Sequence, residues 1–213
     1  MNTGPARALS YPLLVTSGTL VVVAAWVPFA DIDQLSALAV VGLAVLAYTA
    51  YQGGLAFGVF PTGLVATGTV RGRRVRQQYR LVSRSWLEIS SGDRIVWQPV
   101  FYEPALSTLT PTDLELTGRS IHDGNTRFYP SGRVRTTEPA GKLVDNPSRP
   151  ADPPAFGIAR RLILDLQQAV GAPLVGLLWV YVMNGGLGAF IAATMVAAAT
   201  FTWLSAVRGS DPS

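Results

Sequence analysis

Apolar and polar positions are segregated into long blocks along this chain. Residues 11–29, 35–60 and 169–204 contain no Lys, Arg, Asp, Glu or His. A helix of about 20 residues crosses the ~30 Å hydrocarbon core of a bilayer, so the first two blocks are each predicted to cross once. The third is too long for one ordinary crossing and breaks at Asn184-Gly185-Gly186, which predicts a hairpin of two helices. Span three is the short one, because residues 169–183 reach only about 22 Å at ~1.5 Å per residue. It is expected to borrow Leu162, Ile163, Leu164 and Leu166 from the segment before it, with Asp165 facing water. Pro173 is tolerable there if neighbouring helices satisfy the freed carbonyl.

Between spans two and three the period changes from helical to two. Val75, Gln77, Tyr79 and Leu81 alternate with Arg74, Arg76, Gln78 and Arg80, which predicts a strand with one largely apolar and one basic face. Residues 86–89 read as a second strand, followed by a turn at Ser90-Ser91-Gly92-Asp93. Ile95, Trp97 and Phe101 mark a third, with Pro99 at an edge or bulge. Leu114 and Leu116 alternate with Asp113 and Glu115, Asp123-Gly124-Asn125 is hairpin chemistry, and Pro130-Ser131-Gly132 is a further turn. Five or six short strands predict a small barrel or sandwich. Residues 138–154 hold five prolines and no apolar period, so they read as a surface loop or linker. The expected organisation is a helical hairpin (1–60), a β domain (61–136), a Pro-rich loop with a juxtamembrane helix (137–168) and a second helical hairpin (169–213). The fold class is therefore a four-span α-helical membrane protein, two plus two, with an all-β cytoplasmic insert.

Composition supports the membrane reading: mean hydropathy is +0.31 with only 14% charged residues. The first block runs longer than the ~7–15-residue core of a signal peptide and lacks a small-x-small site, so it is read as retained. With no cysteine and one histidine, disulfides, thiolate metal sites, cysteine nucleophiles and His-rich metal sites are excluded. The 17 Lys and Arg residues can all lie on one side of a membrane. Arg7 precedes span one, the acidic loop at Asp31 and Asp33 follows it, and the insert and Arg208 carry the remaining positive charge. The positive-inside bias then places both termini and the insert in the cytoplasm of a bacterial inner membrane. Trp26, Trp179, Tyr181 and Trp203 are expected at the interfaces; Tyr48 and Tyr51 fall mid-span and are expected to pack between helices.

Two sets of residues are candidates for contact. Arg71, Arg73, Arg74, Arg76 and Arg80 form a basic run suited to anionic lipid headgroups, at ~1 kcal/mol per residue near the surface; a solvated, topology-setting strand face is the plainer alternative. Nucleic acid is not expected, because the insert's 15 basic and 10 acidic residues leave it only modestly positive. Gly54 and Gly58, and Gly188 with Ala192, are small residues at helical spacing that let helices approach closely, within this bundle or against another subunit. His122 beside Asp123 reads as a turn or surface histidine, and Glu88, Asp93, Glu103, Asp113 and Glu115 as solvated strand positions, so no catalytic set is expected. Gly185-Gly186-Leu187-Gly188 lacks the strand and lysine of a phosphate loop. Thr16, Ser17, Thr19, Thr49, Gln52 and Thr194 are the polar inventory of the spans, which argues against proton-coupled transport or intramembrane proteolysis.

Several stretches carry a resemblance: Arg84-Ser85-Trp86-Leu87-Glu88, Trp97-Gln98-Pro99-Val100, Phe128-Tyr129-Pro130-Ser131-Gly132-Arg133-Val134-Arg135, Trp179-Val180-Tyr181-Val182 and the closing Arg208-Gly209-Ser210-Asp211-Pro212-Ser213. Together they resemble an actinobacterial four-span family, the accessory subunit (lipid-uptake coordinator B) of mycobacterial Mce lipid importers. The resemblance covers most of the chain from Val70 onward and assigns no residue a chemical role. It implies a non-enzymatic subunit without cofactor, attached to the permease subunits of an ABC-type lipid importer. The residues alone also suit an accessory subunit of a respiratory or secretion complex, or a stand-alone protein that binds anionic lipids.

Overall fold

The apolar blocks fold into helices that end where backbone chemistry stops them. In this computed structural model, which describes residues 6–64, 67–91, 94–145 and 156–213, the first pair is α1 (Ala6–Ala25) and α2 (Ile32–Ala56). Pro12 lies within α1, and its own carbonyl accepts a hydrogen bond from Thr16 Oγ1 at 2.8 Å. A 3-10 turn at Val27–Phe29 closes the hairpin, and Asp31 caps α2 by accepting from the Gln34 amide at 2.8 Å. A side-chain oxygen at this position satisfies an amide that the helix itself leaves open.

The second pair follows the insert. α3 (Ile158–Leu166), a 3-10 stretch (Gln167–Gly171) and α4 (Ala172–Met183) form one apolar rod, and Pro173 sits in the first turn of α4, where its missing N–H costs little. Asn184, in the left-handed conformation (φ 51°), ends α4. The turn leads to α5 (Leu187–Val207). Arg7–Phe29, Ile32–Ala56, Ile158–Met183 and Leu187–Val207 are each long and apolar enough to cross a membrane. Span three thus starts well before Ala169, and it takes Asp165 with it. The expectation that Asp165 faces water is wrong: it is 3% exposed and turned into the bundle.

The insert is a curled antiparallel sheet of seven strands, a half-barrel. Its strands are β1 (Gly68–Tyr79), β2 (Val82–Ser91), β3 (Arg94–Val100), β4 (Thr112–Thr117), β5 (Ser120–Asp123), β6 (Thr126–Phe128) and β7 (Lys142–Asp145). The spatial order is β3-β2-β1-β4-β5-β6. β1 is long enough to serve two partners on one edge, β4 along residues 68–72 and β7 along residues 75–78. β7 falls in the segment predicted as a linker. Four residues pairing with a long neighbour leave no periodic signature, and the prolines around them hide the strand. After β6 the chain returns along the free edge of β3, where Trp97 and Arg135 exchange backbone hydrogen bonds of 2.8 Å and the Phe101 amide donates to Tyr129 at 2.9 Å. That return covers the edge which Pro99 announced. Gly92 and Asp93 of the predicted turn lie outside the described residues.

The concave face holds the main core: Val70, Leu87, Ile89, Val100, Leu106, Leu114, Leu116, Ile121 and Phe128. Register puts Val70, Gly72, Arg74 and Arg76 on this face, because Gly72 pairs with Ile89 and Arg74 with Leu87. The period of two in β1 is real, and Val75 and Gln77 are buried as the apolar face predicts, but Arg74 on the face predicted to be basic and exposed is buried as well. Val75 and Trp86, on the opposite face, are covered by Trp97 and Leu143. The sheet is therefore buried on both sides along its centre.

Sheet and helices share a core. Ala8 and Leu9 of α1, Ala56 of α2, and Phe101 and Tyr129 of the insert form one buried cluster. The Arg119 guanidinium donates to the carbonyls of Gly58 and Val59 at 2.7 and 2.8 Å, just past the end of α2, where a cation complements the helix dipole.

Gly72 has no room for a side chain, since an added Cβ would fall inside the radius of Leu114. Gly72→Ala is expected to destabilise the detergent-purified protein by about 1–3 kcal/mol, read as a lowered thermal midpoint. Gly188→Ala, at a site with no neighbour within 4 Å of the added carbon, is expected to leave the midpoint unchanged or raised.

Candidate functional site

A layer of polar side chains lies where the four helices meet the sheet. Asp165 is its hub. Its Oδ2 accepts from the Tyr11 hydroxyl of α1 at 2.6 Å and the Ser210 hydroxyl at 2.9 Å, and its Oδ1 accepts from Ser205 of α5 at 2.7 Å. One carboxylate thereby joins three helices and the chain beyond α5. Arg161, one turn earlier, lies 3.9 Å from the centre of the Tyr11 ring and 5.6 Å from that of Tyr102, a cation held by aromatic faces. On α2, Thr49 accepts from the Trp203 indole at 3.0 Å, and the Tyr48 hydroxyl accepts from Gln52 at 3.0 Å and Arg208 at 3.1 Å. Tyr48 packs edge-on against Trp203, as its mid-span position predicted. Trp203, near the end of α5, is 4% exposed and turned into the bundle.

The segment after α5 extends this layer into the sheet. Gly209 has φ 79°, and a Cβ there would lie 3.1 Å from the Val100 carbonyl and 2.6 Å from Ser131 Oγ. The chain then runs beside β2 just where β3 stops. Ser210 pairs with Arg84, and the Asp211 amide donates to Ser83 at 2.9 Å. Asp211 points into the concave face. Its Oδ2 accepts from Arg74 at 2.6 Å and from Ser85 at 2.5 Å, and its Oδ1 from Ser213 Oγ at 2.6 Å. Both members of the ion pair are almost fully buried. Burial pushes the Asp211 carboxyl up, but Arg74 and the Ser213 and Ser85 hydrogen bonds outweigh it and leave the group below its ordinary value.

The predicted basic face is therefore not one face. Arg74 is 3% exposed and cannot reach a headgroup, which corrects its assignment. Arg76, beside it on the concave side, donates to Ser213 Oγ at 3.3 Å. Arg73 lies on the other face and pairs with Glu88 at 2.9 Å and Asp145 at 3.0 Å. Arg71 is exposed, and Arg80 occupies the β1–β2 turn at φ 54° with its guanidinium over the Tyr79 ring. Among the described residues, Arg73, Arg74 and Arg76 have side-chain hydrogen-bond or ion-pair partners, and Arg71 and Arg80 have none.

The predicted small-residue pairs also divide. Gly54 and Gly58 do not form a helix-packing face, because α2 ends between them. The Phe60 ring folds back over Gly54, and Gly58 has φ 76° against the Arg119 stem. They serve the turn that leaves α2. Gly188 and Ala192 line an apolar groove of about 600 Å³, between the first half of α2 and the α4–α5 pair, far from the sheet. Ala37, Leu38 and Val41 form one wall, Val175 and Trp179 another, and Gly188, Ala189, Ala192 and Ala193 the floor. The small residues that α4 and α5 use on each other are different ones: Gly176 packs against Thr194 and the Phe190 carbonyl.

Little resembles a reacting centre. No group of three His, Asp or Glu residues suited to a metal occurs among the described residues. His122 pairs across strands with Glu115 and Arg127 in β5. Glu103, expected to be solvated, is 4% exposed, and burial raises its carboxyl against the pull of Arg7 and Arg161. Asp113 and Glu115 are exposed as expected; Asp93 lies outside the described residues.

Breaking the Arg74–Asp211 pair is expected to cost about 3–5 kcal/mol, because the surviving charge stays buried without its partner. Asp211→Asn should therefore lower the thermal midpoint sharply, and Arg74→Met with Asp211→Leu should recover much of the loss. Because the Asp211 carboxyl is held below its ordinary 3.8, its contribution is complete above that pH and is lost as pH falls through the depressed value. Asp211→Asn should flatten the acid limb of the stability profile.

No protein-family model, curated protein or solved structure matches this chain, so the functional reading rests on the geometry above and on the residues that carry the resemblance.

Proposed function

We propose that this protein is a non-enzymatic accessory subunit of a bacterial inner-membrane complex, and that it docks on a transmembrane helix of a permease subunit. The groove beside α2 carries the proposal. Two apolar helices in a bilayer gain nothing from hiding each other from lipid, so close association needs small residues that admit a neighbouring backbone. Gly188, Ala189, Ala192 and Ala193 provide such a floor, and no helix of this chain lies on it. α2 meets α5 near the sheet, through Tyr48, Thr49 and Trp203, and stands away from it at the other end. The opening is apolar on both walls, which fits a membrane helix and not a soluble ligand.

The resemblance supports an Mce-type lipid importer as the host assembly. In this reading the half-barrel and both termini are cytoplasmic, as the charge distribution requires.

The chain has no cysteine of its own, which makes single-cysteine mapping clean. Ala192→Cys, expressed in native membranes and treated with a short bismaleimide, is expected to give a covalent adduct with a permease subunit, while a cysteine at exposed Leu177 gives none. Gly188→Leu, at a position where an added Cβ meets nothing within 4 Å, projects into the groove and is expected to reduce co-purified permease at least tenfold, about 1.4 kcal/mol. Recovery of the partner in full with the groove filled contradicts the proposal.

A further inference from the structure

Three arginines stand at the junction of helices and sheet without a carboxylate within ion-pair distance among the described residues: Arg84, Arg135 and Arg208. The backbone brings them together. Arg84 and Trp86 alternate on the same face of β2, and the Arg135 guanidinium lies 5.3 Å from the centre of the Trp86 ring. Arg208 precedes Ser210, whose backbone pairs with Arg84. The mutual repulsion is visible on Arg84: burial first, then Arg208 and Arg135, push its guanidinium down to about 10, although Tyr48 and Asp165 oppose this. Asp165 acts on the cluster only through space: its oxygens accept from the hydroxyls of Tyr11, Ser205 and Ser210, and among the described residues it makes no ion pair with Arg84, Arg135 or Arg208.

A folded chain does not gather like charges at a half-buried place for stability. Arg84 is partly buried, while Arg135 and Arg208 are exposed. Arg208 directly follows Val207, the last residue of a 21-residue apolar helix, so the cluster lies at the level where hydrocarbon gives way to headgroups. The Tyr48 hydroxyl accepts from Arg208 and Gln52, which leaves its own proton to give. Planar guanidinium groups that converge with a hydroxyl donor match the oxygens of a phosphate.

We propose that Arg84, Arg135 and Arg208, with the Tyr48 hydroxyl, form a binding site for the phosphate of an anionic lipid headgroup in the leaflet next to the half-barrel. The site is separate from the groove at the far end of the helices and does not depend on the docking role. It also differs from the Arg71–Arg80 run, which the fold disperses over two faces and a turn.

The test uses the full-length protein in neutral detergent, with its thermal midpoint followed against added phosphatidylglycerol, phosphatidylcholine and soluble glycerol phosphate. Phosphatidylglycerol is expected to raise the midpoint saturably, and phosphatidylcholine to do so far less. Arg135→Gln and Arg208→Gln, both at exposed positions, are each expected to raise the half-saturating lipid concentration about fivefold, from ~1 kcal/mol per basic residue. Arg71→Gln and Arg80→Gln, each removing one charge elsewhere, are expected to leave it unchanged. Equal effects of these two variants and of Arg135→Gln and Arg208→Gln would reduce the cluster to general surface charge and overturn the proposal. Stabilisation by glycerol phosphate at the concentration where the lipid acts would overturn the lipid as its source.

Discussion

A buried carboxylate must be surrounded by donors or be very costly, and in this protein the donors to Asp165 come from everywhere at once. Tyr11 reaches it from α1, Ser205 from α5 and Ser210 from the segment that enters the sheet. Meeting that requirement fixes the rotation of α3 and the inner ends of two other helices. It also fixes the direction in which the chain leaves α5. The second buried charge follows from the first, because a chain aimed by Ser210 delivers Asp211 to Arg74. Two carboxylates 46 positions apart thus bind the helices to the half-barrel through a short run of residues after α5.

The same arrangement explains why one end of the bundle is closed and the other open. Near the sheet, Trp203, Thr49 and Tyr48 draw α2 against α5. Farther away the side chains facing the gap are apolar apart from Gln34 and Thr200, and no hydrogen bond crosses it among the described residues. The groove over Gly188 and Ala192 is what remains when directional bonds are confined to one end. A bundle built in this way is anchored to its own half-barrel and left open along an apolar groove at the other end.

Much of this was legible in the amino-acid order. Block lengths predicted four helices, the break at Asn184 predicted the second hairpin, and the alternation through Leu114 and Leu116 predicted β4 with its buried face. What escaped was pairing between distant segments. Nothing near Arg74 in sequence reveals that Asp211 will meet it, so a period of two marked it as one more solvated arginine. Asp165 did carry a signal. Arg161, Asp165, Ala169, Ala172 and Gly176 recur every three to four residues opposite Leu162, Leu166, Val170 and Leu174, so the small and polar stripe faces inward and the apolar stripe is exposed. Treating the first apolar residue after Gln168 as the start of the span concealed that stripe. β7 and the convergence of Arg84, Arg135 and Arg208 had no local signature, since both depend on the curl of the sheet.

The central claim is that residues 209–213 bolt the half-barrel to the bundle through Asp211 and Ser210. Hydrogen–deuterium exchange in lipid nanodiscs, on the intact chain and on one ending at Arg208, tests it most directly. Loss of the segment is expected to raise exchange along residues 82–85 of β2 and at the sheet-proximal end of α3, with β4–β6 unchanged. Equal protection of β2 and α3 in the two proteins would contradict the account.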